Sequence, residues 1–174
     1  MNKRNITLDK KRIPAGYNTL NPFVIIKGDA KKFIEFAEKI FDAEERRNVR
    51  TPDRDGTLIH AELRIGNSSI LIADSKSDWP FTPAFLQVYV EDAQEVLKRA
   101  KENGAEIVTE VSKFYGGFKL ARFKDAWGNL WWLYEPEENK AKKTEESKSD
   151  LSWHDRKPSY TYTSLMEVMK NLGK

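Results

Sequence analysis

The 174-residue chain contains no cysteine. That excludes a disulfide framework, a thiolate metal site and a cysteine nucleophile, and it fits a reducing, cytoplasmic setting. Histidine is almost as scarce, with His60 and His154 the only two. No apolar run approaches the roughly 18 residues of a helical membrane span, so no membrane partner is expected. The opening Met-Asn-Lys-Arg leads into no apolar stretch before Pro14, unlike a secretory signal. A basic face is missing as well. The net charge is +3, but residues 1–16 hold Lys3, Arg4, Lys10, Lys11 and Arg12 against Asp9 alone, so the remainder is close to neutral. Nucleic-acid binding needs clustered positive charge on the fold itself, and a basic arm does not supply it. Hydrophobic residues make up 39%, enough for a real core only if the polar ends stay out of it.

What is present is a repeat. Phe23-Val24-Ile25-Ile26-Lys27-Gly28-Asp29-Ala30 leads into a helical pattern ending at Phe41-Asp42-Ala43-Glu44. Leu86-Gln87-Val88-Tyr89-Val90-Glu91-Asp92-Ala93 leads into another, ending at Asn103-Gly104-Ala105-Glu106. Strand-like stretches follow each copy, so the chain reads as two similar strand-helix-strands modules.

Residues 1–16 form a polar N-terminal arm ending in Pro14-Ala15-Gly16. The first module covers residues 17–75. Asp29 is placed to cap a helix in which Phe33, Ile34, Phe36, Ala37, Ile40 and Phe41 share one face. Residues 44–50 read as a polar edge strand, and Asp55-Gly56 as a hairpin turn. Leu58–Ile65 and Ser68–Asp74 read as two strands joined by Gly66-Asn67. Residues 75–83 link the halves. The second module, residues 83–136, has a strand at 84–90 and a helix at 92–103 closed by Gly104. Strands at 106–111, Phe118–Lys124 and 130–135 follow. Residues 137–150 read as a charged linker. The last stretch, residues 151–174, is a helical extension: Thr163-Ser164 can cap a short helix with Leu165, Val168, Met169 and Leu172 on one face, preceded by Trp153, Tyr160 and Tyr162. That stripe suits packing on its own domain or a second subunit, or docking of another protein.

The motifs resemble the glyoxalase/bleomycin-resistance/dioxygenase (vicinal oxygen chelate) superfamily, in particular its PhnB-like branch. The matching stretches are Ile13-Pro14-Ala15-Gly16-Tyr17-Asn18-Thr19-Leu20-Asn21-Pro22-Phe23, Ile40-Phe41-Asp42-Ala43-Glu44, Ile59-His60-Ala61-Glu62-Leu63-Arg64-Ile65-Gly66, Phe114-Tyr115-Gly116-Gly117, and Asp125-Ala126-Trp127-Gly128-Asn129-Leu130-Trp131-Trp132. The resemblance implies an α+β fold of two βαβββ modules in tandem, a curved mixed sheet around a cup for a small molecule, and a homodimer. Metal-dependent members hold a divalent ion through His, Glu or Gln on the first and last strands of each module. Carried over, those places fall at Pro22, Leu71, Phe85 and Trp132. None has a lone pair to offer a metal, and a one-residue slip to Asn21, Ala84 or Leu86 does not restore a set. No metal or other cofactor is expected.

Alternation along the strands then assigns the cup lining. His60, Glu62 and Arg64 share one face of their strand, and Ser69, Leu71 and Ala73 of the next. Phe85, Gln87 and Tyr89 face the cup, as do Leu130, Trp132 and Tyr134, with Trp131 and Leu133 behind. An aromatic wall thus opposes a polar one, which suits an apolar ligand oriented by a few polar groups. Alternatively His60, Glu62 and Arg64 satisfy one another as an ion-pair row. Two functions follow: a metal-free protein that binds a small aromatic or amphipathic molecule, or a lyase, isomerase or dioxygenase-like enzyme using His60 and Glu62 as catalytic residues.

Overall fold

The structure, a computed structural model, describes residues 10–137 and 157–173. Two compact units are present, Met1–Thr82 and Pro83–Lys174. The first nine residues of the arm, most of the 137–150 linker, and Trp153 and His154 lie outside the described residues.

The first unit runs β1 (Phe23–Ile26), α1 (Ala30–Phe41), β2 (Glu44–Glu45), β3 (Thr51–Pro52), β4 (Leu58–Ile65) and β5 (Ser68–Asp74). Its curved sheet has the order β1-β5-β4-β2, with β3 also on β4. β1 lies parallel to β5, and the other pairs are antiparallel. Asp29 starts α1 by accepting the Lys32 amide at 3.2 Å, which satisfies a donor the helix itself cannot. The 3.6-residue period puts Phe33, Ile34, Phe36, Ala37 and Ile40 on one buried stripe. α1 packs on β4 and β5, and Val24, Ile26, Ala61, Leu63 and Ile72 of the sheet are all at most 1% exposed. Each large side chain so buried contributes about 1.5–3 kcal/mol. Asp74 ties the ends together, accepting the Ala30 amide at 2.8 Å and the Leu58 amide at 2.6 Å.

The second unit repeats the plan with β6 (Phe85–Tyr89), α2 (Ala93–Glu102), β7 (Glu106–Phe114), β8 (Phe118–Lys124) and β9 (Leu130–Pro136), in the order β6-β9-β8-β7. Asp92 caps α2 at the Glu95 amide, and Glu135 accepts the Ala93 amide, the counterparts of Asp29 and Asp74. Behind the sheet lie Ala121, Phe123, Trp131 and Leu133, all fully buried. The Asp125-to-Asn129 turn is organised by one carboxylate. Asp125 accepts from the Trp127 and Asn129 amides, the Asn129 side chain and the Trp131 indole N–H. Burial pushes its carboxyl up, against the pull of those donors. Asn129 Oδ1 in turn takes the Ala84 amide at 2.9 Å, fastening the start of β6. Gly116 and Gly117, both at φ 75°, make the β7–β8 turn in a conformation other residues resist.

Several elements differ from expectation. Residues 44–50 are not one strand: β2 ends at Glu45, a 3-10 turn occupies Arg47–Val49, and β3 resumes at Thr51. The break is held by Arg50, whose guanidinium grips the Glu45 carboxylate with two nitrogens. Strand β7 extends to Phe114, with irregular register on either side of Thr109. The C-terminal helix, α3 (Tyr160–Asn171), begins earlier than Thr163-Ser164. Ser159 is the cap, accepting the Tyr162 amide at 3.3 Å, so Tyr160 and Tyr162 are inside the helix. α3 packs on β7 of its own unit. Of the expected stripe, Val168 is buried and Met169 is 42% exposed. Among the described residues no helix is long and apolar enough to cross a membrane.

Candidate functional site

In the first unit, β4 carries the polar candidates on the face away from α1. Glu62 is 4% exposed and fully engaged. It accepts from the Tyr17 hydroxyl at 2.5 Å, from Arg46 Nη1 at 2.9 Å, and pairs with His60 Nε2 at 3.1 Å. Burial alone would raise the Glu62 carboxyl. The hydrogen bonds from Tyr17 and His60 and the Arg46 charge outweigh it, so the pKa lies below the ordinary glutamate value. The Tyr17 hydroxyl is pushed up, chiefly because its bond to Glu62 favours the protonated form. Arg46 also sits over the Tyr17 ring at 5.1 Å. The Gly16 carbonyl accepts from Ser69 Oγ, so the last residues of the arm are fastened to the sheet. The expected row is therefore partly formed: His60 and Glu62 pair, but Arg64 does not join them. It is exposed, donates Nε to the Gly66 carbonyl at 2.9 Å, and borders a hollow that it shares with Arg46, Glu44 and Ser69. Leu71, half-buried, lies opposite Glu62 on one side and Phe23 on the other, and the Phe23 and His60 rings are 6.5 Å apart.

In the second unit the face away from α2 is aromatic. Phe85, Gln87 and Tyr89 of β6 lie opposite Leu130, Trp132 and Tyr134 of β9. Phe85 meets Trp132 edge-on at 5.9 Å, and Tyr89 meets Tyr134 at 5.7 Å. Phe85 is 49% and Tyr89 63% exposed, so ring area stays open to solvent. Leu130, assigned to the same face, is fully buried. Sequence reasoning missed three contributors. Phe114 and Phe118 pack on Tyr134 at 5.9 and 6.0 Å. Arg122, 4% exposed, lies opposite Trp132 with its guanidinium 5.4 Å from that ring. Alternation on β8, which puts Phe118, Leu120 and Arg122 on one face, was the signal that would have found Phe118 and Arg122; Phe114 ends β7. Tyr17 and Arg46 had no such signal, being distant in sequence from Glu62.

Of the residues that the resemblance aligns with ligand positions, Pro22 and Leu71 in the first unit and Phe85 in the second bear no side-chain N, O or S donor, and the Trp132 indole N–H only donates. Among the described residues no group of three His, Cys, Asp or Glu side chains converges elsewhere.

Residues 19–133 match the Glyoxalase/Bleomycin resistance protein/Dioxygenase superfamily, and the chain belongs to that family. An uncharacterised protein of Mycobacterium tuberculosis is 33% identical over 128 residues, covering 67% of this chain and 74% of that protein. Among solved structures, TioX from Micromonospora sp. ML1 superposes with a TM-score of 0.53 at 21% identity, covering 67% of this chain and 98% of TioX. The fosfomycin resistance protein FosX from Listeria monocytogenes gives 0.53 at 24% identity, over 67% of this chain and 91% of FosX. These likenesses show the fold, in which two curved mixed sheets are accompanied here by a C-terminal helix.

Proposed function

We infer that the protein binds a small aromatic or amphipathic molecule without a metal, and that the aromatic face of the second unit is its main recognition surface. The observation that carries this reading is the open ring cluster of Phe85, Tyr89, Trp132 and Tyr134, on which Phe85 and Tyr89 remain exposed. An apolar ligand there gains burial and ring contacts, each good ring pair adding about 0.5–1.5 kcal/mol. Neither Phe85 nor Trp132 of this face offers a side-chain lone pair to a metal, which supports recognition by shape and stacking rather than by coordination. His60 and Glu62 serve the clamp on Tyr17 in this reading, since both Glu62 oxygens are already engaged.

The test is a thermal-shift and tryptophan-fluorescence screen of chelator-treated protein against one- to three-ring aromatic compounds. Hits should raise the melting temperature and quench a signal that Trp132→Phe removes. Failure of every compound to stabilise the protein, or binding that returns only with an added divalent ion, overturns the reading.

A further inference from the structure

Among the described residues Arg122 is a buried cation without a counterion. It sits on β8 at 4% exposure, and only its Nη1 donates, to Thr109 Oγ1 at 3.2 Å and to the Thr161 carbonyl of α3 at 2.7 Å. Both acceptors are neutral. The buried Nε–H has no acceptor, and among the described residues no carboxylate pairs with the guanidinium. Guanidinium stays protonated in proteins, so the charge persists in the interior, where an uncompensated ion is costly. Burial depresses the Arg122 pKa, and Tyr134 and Tyr115 are the ionisable groups that oppose the shift. A basic neighbour on the same face of β8, Lys124, is already paired with Glu106 at 2.6 Å. One unbalanced positive charge therefore remains beside the aromatic cluster.

The free edge has a specific shape. Nε–H and the neighbouring Nη2 form the side fork of a guanidinium, which receives a planar carboxylate through two parallel bonds. Trp132 holds the plane of that fork from one side. Phe85, which meets Trp132 edge-on, and Tyr134, two residues along the same face of β9, provide the apolar surface next to it.

We propose that Arg122 is an anion-recognition residue, whose Nε edge takes the carboxylate of an aromatic monocarboxylate with its ring among Phe85, Trp132 and Tyr134. This rests on the aromatic face being a ligand surface and adds the class of ligand: one planar negative charge attached to a ring. The Thr161 carbonyl on the other side of the guanidinium makes the first turn of α3 a neighbour of the bound anion.

The experiment compares benzoate, 2-naphthoate and anthracene-2-carboxylate with their primary amides by calorimetry on the full chain. At least one acid should bind about tenfold or more tighter than its amide, the margin of one added charge-assisted bond pair. In Arg122→Gln that preference should fall below about threefold; Arg122→Lys, with a charge but no fork, should keep only part of it. Equal binding of acids and amides, or a preference that survives in folded Arg122→Gln, overturns the anion proposal and leaves the aromatic surface standing. If neither class binds, both fall. Should Arg122→Gln not fold, the acid-to-amide ratio in the unaltered protein decides alone.

Discussion

Glu62 and Arg122 occupy the same position in the two units. Each follows a fully buried alanine, Ala61 or Ala121, and each faces the last strand of its sheet, at Leu71 and at Trp132. The repeat has kept the place and reversed the charge. In the first unit the carboxylate is saturated by Tyr17, Arg46 and His60; in the second the guanidinium is left with two neutral oxygens. One position closes a structural clamp, and its counterpart keeps unspent hydrogen-bonding capacity.

The clamp has a measurable energy. Tyr17→Phe removes a hydrogen bond to an ionised, buried carboxylate, and urea denaturation should show a loss of about 1–3 kcal/mol. In a Glu62→Gln background the same change should cost at least about 0.5 kcal/mol less, because the partner charge is gone. Additive losses would mean that the two side chains do not stabilise one another.

The same pair sets an acid dependence. The folded pKa of Glu62 lies below its unfolded value, so its contribution is complete above the usual glutamate range and is lost as pH falls through the folded pKa. Melting curves from about pH 7 down to pH 3 should show the gap between the unaltered protein and Glu62→Gln narrowing below about pH 5. A constant gap would contradict the depressed pKa.

Phe85 separates binding from folding. At 49% exposure its truncation should change stability by about 0.5 kcal/mol or less. Removing its edge contact with Trp132 should weaken an aromatic ligand by about three- to tenfold, the equivalent of one ring pair. Phe85→Ala measured by calorimetry against any screening hit, with a parallel denaturation curve, gives both numbers.

α3 is held locally. It buries Val168 and bonds to the sheet through Ser164 with Thr109, through Tyr160 with the Glu110 amide, and through the Thr161 carbonyl with Arg122. Ser159→Ala should remove about 1 kcal/mol of capping. Hydrogen exchange should then quicken across residues 160–171 while β8 and β9 remain protected, since a lightly buried element opens independently of the core. Uniform acceleration across the unit would show instead that the helix is integral to it.

Sequence reasoning reached the fold because its signals are local or periodic. Asp29 and Asp92 stand one residue before the helices they cap, and Gly66-Asn67 and Asp125-to-Asn129 lie at their turns. Strand alternation also placed Trp131 and Leu133 in the core and Trp132 and Tyr134 on the other face. What escaped depends on partners far along the chain. Nothing near Glu62 announces Tyr17, 45 positions away, and nothing near Arg122 announces Thr161, 39 positions away. Arg64 illustrates the limit of alternation: parity gives a side chain its face, but its place near the strand end let it turn back to the Gly66 carbonyl.

The closing of each sheet also dictates an order of assembly. β1 is bonded to β5 and β6 to β9, so the strand made first in each unit waits for the strand made last. Ala84 gains its acceptor only when Asn129 arrives. Such long-range parallel pairing is slow because loop closure precedes its reward. On the ribosome, therefore, neither Phe23 nor Phe85 enters its sheet until the last strand of that sheet has emerged, and nascent chains halted short of Leu71 or Leu130 carry these strands unpaired.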